Sequence, residues 1–369
     1  MSYQKFTKDV GLIGFTNLII ALRALLILPI ITKLLGAEDY GTWAQIMATI
    51  SLITPIATLG LPYASVRFLA AEKDKKEIQE GIFSVVSVIF AVALVFSLIF
   101  IFFSDFTSNF FGGEKILVYL LAFTLIFECL NLEFFDIFRA FQKISSYSFF
   151  MIFQTLGEVG LVAITVVFGY GLMGAVLSLL IIRFTNFLIM GTLIIKKVGI
   201  KLPNFSRTKE YLSFSLPTIP SNICSWIIRL SDRYLIGFFV GTLFVGYYVP
   251  AYVIGSSIML FVAPLVFVLL PVLSKFYDEN RINEVKAYTR YCLKYFLIIS
   301  IPSVFGVSFL SKQILTILST PEIASQGCRI VPLVAVSSLI FGVGATIPII
   351  FLKKKTIVSG IIWIIASLL

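Results

Sequence analysis

The chain has 369 residues, of which 59% are hydrophobic and only 13% charged, with a net charge of +10 and a mean hydropathy of +1.02. Soluble domains carry about 25% charged residues, so this composition excludes a water-soluble globular fold. The charge surplus does not indicate nucleic-acid binding, because in such a chain Lys and Arg gather in the loops that stay in the cytoplasm. There is no histidine, and Cys129, Cys224, Cys292 and Cys328 show no CxxC spacing. That argues against structural zinc and histidine catalysis, so no metal or cofactor is expected. The cysteines read as small buried apolar residues.

Apolar runs long enough to cross a bilayer follow one another along the chain. Ten complete spans are expected: Val10–Leu35, Trp43–Leu61, Ile82–Phe103, Ile116–Phe138, Phe149–Phe168, Leu172–Ile195, Tyr211–Val240, Val245–Leu270, Tyr291–Leu310 and Ile330–Phe351. An eleventh run starts near Ile357. With about 13 residues it covers roughly 20 Å of helix, short of a core of about 30 Å. The second half therefore reads as truncated. The first run is too long for a signal peptide and carries Arg23, so it reads as an uncleaved first helix.

The basic residues set an orientation. Twenty of the 29 lie on one side: Lys5, Lys8, Arg67, Lys73, Lys75, Lys76, Arg139, Lys143, Lys196, Lys197, Lys201, Arg207, Lys209, Lys275, Arg281, Lys286, Arg290 and Lys353 to Lys355. Lys33, Lys115, Lys312 and Arg329 lie on the other. This bias predicts a multi-pass protein of the cytoplasmic membrane with its N-terminus in the cytoplasm. The sequon at Asn204 then faces the cytoplasm. The longest hydrophilic loops are expected at Ala70–Glu80 and Phe276–Thr289.

Both of those loops follow the second span of a half, which points to an internal repeat. Gly36 and Gly41 match Gly241 and Gly246, and Pro55 and Pro62 match Pro264 and Pro271 approximately, at offsets of roughly 201 to 209 residues. Six spans per copy is an even number, so both copies enter from the same side and the repeats are parallel. The expected fold is all-α and integral to the membrane. It consists of two parallel-repeat six-helix bundles, 1–200 and 201–369, the second incomplete and ending in span eleven. A cavity is expected between the bundles.

Several segments carry a family resemblance. Leu34-Leu35-Gly36-Ala37-Glu38-Asp39-Tyr40-Gly41, followed after one span by Leu59-Gly60-Leu61-Pro62 and Ser65-Val66-Arg67-Phe68, resembles the signature of the polysaccharide flippases. These are the Wzx-type exporters of lipid-linked oligosaccharides within the multidrug/oligosaccharidyl-lipid/polysaccharide superfamily. Arg139-Ala140-Phe141-Gln142-Lys143 and Leu230-Ser231-Asp232-Arg233-Tyr234-Leu235-Ile236-Gly237 are similar to further family patterns. The resemblance implies a MATE-like fold of 12 or 14 spans and no enzymatic activity. It also implies a polyprenyl-diphosphate-linked glycan as substrate, moved from the inner to the outer leaflet, with membrane lipids and polysaccharide polymerases or glycosyltransferases as partners. A cation-coupled multidrug antiporter of the same superfamily is the alternative, and it calls for an acid-lined cavity. A membrane glycosyltransferase would need a large aqueous loop with clustered carboxylates, and no loop exceeds about fifteen residues.

Arg23, Arg183, Arg229 and Arg233 lie inside spans, where a basic residue costs roughly 2.5–3.5 kcal/mol on insertion scales. Such residues face a polar cavity or pair with an acid. Guanidinium forks match phosphate oxygens, so these four are the candidate diphosphate ligands. Arg23 plus the repeat offset lands near Arg229. Asp232, three residues on, can reach Arg229 on one helix face. Glu128 and Glu158 are candidates for coupling-ion binding or for balancing the arginines. Glu133 and Asp136, nearer the cytoplasmic end, are expected to be solvated.

Overall fold

The computed structural model describes residues 3–70, 72, 74–262, 269, 272–273, 276–277, 279–346 and 365–366. The readings at Pro264, Pro271, Lys275, the basic run Lys353 to Lys355 and the eleventh span lie outside the described residues. The helices are α1 (Tyr3–Leu34), α2 (Ala37–Ala57), α3 (Leu61–Leu69), α4 (Lys75–Phe102), α5 (Ser104–Ser108), α6 (Lys115–Ala140), α7 (Ile144–Val167), α8 (Gly171–Val198), α9 (Thr208–Ser215), α10 (Thr218–Phe239), α11 (Thr242–Ser256), α12 (Ile282–Phe309), α13 (Ser311–Leu318), α14 (Pro321–Gly327) and α15 (Ile330–Ala345). Among the described residues seven helices are long and apolar enough to cross a membrane, and two bent pairs would make nine.

The repeat is visible in the helix boundaries. Tyr3–Leu34 recurs as Thr208–Phe239, each end 205 residues on, and Ala37 recurs as Thr242 at the same offset. Lys75–Phe102 recurs as Ile282–Phe309, 207 residues on. Gly36 and Gly241, matched in the sequence, both hold positive φ (95° and 107°) in the turn between the first two helices of their copy. Such a turn suits glycine, which has no Cβ to clash with the following carbonyl.

Four expected segments differ. The second span does not run as one helix to Leu61. It breaks at Leu59 and Gly60, both with positive φ, and resumes as α3 at an angle of 52°. The seventh run is likewise two helices, because Pro217 and Pro220 cannot donate the backbone bonds a continuous helix needs. The hydrophilic stretches Ala70–Glu80 and Phe276–Thr289 are partly helix, since α4 starts at Lys75 and α12 at Ile282. Asp74 caps α4, its Oδ1 accepting from the Lys76 N–H at 2.9 Å, so the helix extends past its apolar stretch.

By packing the described chain forms two compact units. The first comprises 1–23 and 42–242, the second 24–41 and 243–369. Residues 201–242 pack within the first unit. The Tyr211 ring of α9 lies tilted against Phe68 of α3 with centroids 4.8 Å apart, and Trp226 Nε1 of α10 donates to the Ala48 carbonyl at 3.0 Å. Within the second unit, Thr32 donates to the Leu318 carbonyl, and Ala37 joins a core with Tyr247, Ala251 and Ile323.

In the first unit α6 is central, packing against α3, α4, α7 and α8. The segment after α8 is laced to the start of α4. Gln79 Nε2 donates to the Val198 carbonyl at 2.5 Å, Lys201 pairs with Glu80 at 2.6 Å, and Arg207 pairs with Glu77 at 2.8 Å. Asn204, the sequon residue, donates to Glu80 at 2.9 Å. All four cysteines are free thiols. Cys129 and Cys292 are buried, while Cys224 and Cys328 are half-buried.

Candidate functional site

Four charges from four helices meet near the middle of the first unit's spans. Arg23 (α1) donates from Nη1 to Glu158 Oε2 (α7) at 3.1 Å. The same oxygen accepts from Arg183 Nη1 (α8) at 3.5 Å, and Arg183 Nε donates to Glu128 Oε2 (α6). The order Arg23–Glu158–Arg183–Glu128 alternates in sign and sums to zero. Glu158 is 0% exposed and Arg183 is fully enclosed, whereas the Arg23 side chain is 31% exposed and that of Glu128 25%. The two inner charges are costly to desolvate alone, and each is flanked by opposite charges.

Local sequence brings the helices close enough for this. Gly157 precedes Glu158, and a Cβ placed there would lie 3.1 Å from Ile182 Cγ1. The missing side chain lets α7 and α8 approach beside the Glu158–Arg183 pair. One helical turn away, towards the 141–143 loop, sits a second polar layer that the sequence reading missed. Asn186 Nδ2 donates to Gln154 Oε1 at 2.9 Å, and Asn131 Nδ2 donates to the Arg183 carbonyl at 2.8 Å. Its signal is the spacing: Asn131, Gln154 and Asn186 stand three or four residues from Glu128, Glu158 and Arg183, on the same helix faces.

A cavity of about 260 Å³ adjoins both layers, with Glu128, Asn131, Gln154, Asp136, Arg139 and Asn222 among its lining residues. Pockets for drug-sized molecules start near 300 Å³. This one suits waters or a small polar group, not a lipid-linked glycan.

The other candidates are not part of this chain of charges. Arg229 on α10 is exposed and makes no ion pair among the described residues. The expected local pair with Asp232 is not formed. Asp232 instead accepts from the Arg233 backbone N–H at 2.8 Å. Glu133 and Asp136 are not solvated as expected. Glu133 is 0% exposed and Asp136 is buried against Arg139 at 2.6 Å. The reason is tertiary: α3 folds back across this end of α6 after the bend at Gly60, covering a face that would otherwise meet water.

Comparison with known families settles the relationship. Residues 6–277 match the family model described as polysaccharide biosynthesis protein. The chain belongs to that family. A search of curated protein sequences finds no match. Among solved structures, the fold is similar to the lipid II flippase MurJ in its inward closed conformation. The TM-score is 0.76 at 18% identity, over 98% of this chain and 79% of that one. It is also similar to an inward-facing multidrug resistance MATE family transporter of the MOP superfamily. There the TM-score is 0.74 at 15% identity, over 96% and 87% of the chains. The MATE multidrug transporter DinF-BH gives a TM-score of 0.60 at 13% identity, over 96% and 85%. At these identities the likeness establishes the fold, which is the MATE-like architecture expected from the sequence. The chain is thus a member of the polysaccharide biosynthesis protein family with a MATE-like fold and several helices long and apolar enough to cross a membrane.

Proposed function

We propose that this family member moves a polyprenyl-diphosphate-linked oligosaccharide from the inner to the outer leaflet of the cytoplasmic membrane by alternating access, supplying cell-surface polysaccharide synthesis. The observation that carries the reading is Arg23. Its side chain stands deep in a span and is 31% exposed, and its guanidinium uses one nitrogen on Glu158. Further donors remain for a diphosphate, which a guanidinium fork matches geometrically. Arg229, exposed on the equivalent helix of the second copy, is the partner ligand in this reading. A cation-coupled drug antiporter calls for a surplus of carboxylates, whereas this chain of charges is balanced. Polysaccharide polymerases and glycosyltransferases are the partners such a flippase would serve.

The test is glycan export in a strain lacking the native gene, read together with the amount of folded protein in the membrane. Arg23→Ala and Arg229→Ala should each lower export at least about tenfold, since a charge-assisted contact contributes roughly 1.5–3 kcal/mol. Protein level should hold, because Glu158 keeps Arg183 when Arg23 is removed. Arg→Lys should retain part of the activity. Normal export in both alanine variants would exclude the diphosphate reading.

Orientation has its own test. With the N-terminus in the cytoplasm, single cysteines at Lys75 and Asp278 should resist a membrane-impermeant thiol reagent on intact cells. Those at Asn109 and Lys312, both exposed, should react. The reverse pattern would invert the topology.

A further inference from the structure

Among the described residues, no cation is placed to balance a negative charge on the buried Glu133. It lies on α6 with 0% exposure. Its Oε1 is bonded to Ser65 Oγ of α3 at 2.6 Å, and its Oε2 has no hydrogen-bond partner. The ionisable groups that interact with it are Asp136 on α6 and Tyr211 on α9, and neither is a cation. Phe134 and Ile137 on the same stretch of α6 belong to an apolar core with Leu69, Ile82 and Met190.

The cations on the elements packed against α6 are committed elsewhere or lie at exposed helix ends. Arg183 of α8 holds Glu128 and Glu158, and Lys197 lies over the Phe141 ring at 4.5 Å. Arg67 of α3 lies over the Phe214 ring at 5.8 Å, and Arg139 pairs with Asp136. Lys75 and Lys76 sit at the exposed start of α4, and Lys196 is exposed at the end of α8. From α7, Tyr147 comes near Arg139 and Asp136. A lone carboxylate in such a site is far costlier than a neutral carboxyl.

We infer that Glu133 is a proton-binding site of this transporter, loaded in this conformation, which gives up its proton only when the α3–α6 contact at Ser65 opens to water. The site is separate from the balanced charges around Arg183. Those four neutralise one another without a proton, whereas Glu133 can be neutral only by carrying one. The bend at Gly60 makes the site by laying α3 over α6, so movement of α3 relative to α6 would control its access. The inference does not depend on which substrate the protein carries.

Infrared spectroscopy on the full chain in lipid nanodiscs tests it, through the C=O stretch of a protonated carboxyl and its shift on deuterium exchange. At neutral pH the wild type should show this band, Glu133→Gln should lose it, and Glu158→Gln should keep it. Ser65→Ala removes the hydrogen bond and should move the band to higher frequency. This second variant decides the matter even where Glu133→Gln accumulates poorly. Absence of the band in the wild type, its persistence in Glu133→Gln, or no movement in Ser65→Ala would overturn the assignment.

Discussion

Replacing Arg183 with alanine is expected to produce the largest loss of stability among single substitutions at the charged positions. Arg183 is enclosed and joins two carboxylates on different helices. Without it Glu158 still holds Arg23 at 3.1 Å, but Glu128 loses its ion partner. Removing one member of a buried ion pair typically costs about 3–5 kcal/mol, because the other charge stays desolvated. The lower end is expected here, since Glu128 borders the cavity. Thermal unfolding of the purified protein in detergent should show the drop, and a second change, Glu128→Gln, should recover most of it. Arg183→Lys should fall between, because a single ammonium cannot offer Nε and Nη1 to two acids at once. An alanine variant as stable as the wild type would show that these charges do not hold the bundle together.

Gly60→Val should be comparably damaging, by a steric route. Gly60 has φ of 66°, where a β-branched residue is disfavoured by roughly 1–2 kcal/mol. A Cβ there would also sit 2.5 Å from Thr218 Oγ1 and 2.8 Å from the Ser215 carbonyl oxygen. Thr218 can turn aside, but the carbonyl belongs to the backbone at the end of α9. Overpacking of this kind adds about 1–3 kcal/mol. The expected result is a sharp fall in folded protein in the membrane. Gly60→Ala with Thr218→Ala should be milder, since one of the two clashes is gone. Wild-type levels of Gly60→Val would mean that the Gly60 backbone can leave the left-handed region at little cost.

Much of the architecture was legible in the sequence. Span length and hydropathy are properties of single helices, so the apolar runs marked the membrane class and the positions of most spans. The repeat was legible for the same reason: Gly36 and Gly241 each need a positive φ at the same turn, and that need is local. Local chemistry also explains why four arginines at membrane depth stood out.

Which acid each arginine would meet was not legible. Arg23 and Glu158 are 135 residues apart, and Arg183 and Glu128 are 55 apart. Their meeting depends on which faces of α1, α6, α7 and α8 come together. The misreading of Glu133 has the same origin. In sequence it stands near a helix end, beside residues that water could reach. In the fold, the left-handed backbone at Leu59 and Gly60 turns α3 across α6 and brings Ser65, 68 residues away, onto its carboxyl. Hydropathy reports how apolar a helix is. Whether a given polar atom on it meets lipid, water or another helix is decided by how the helices pack.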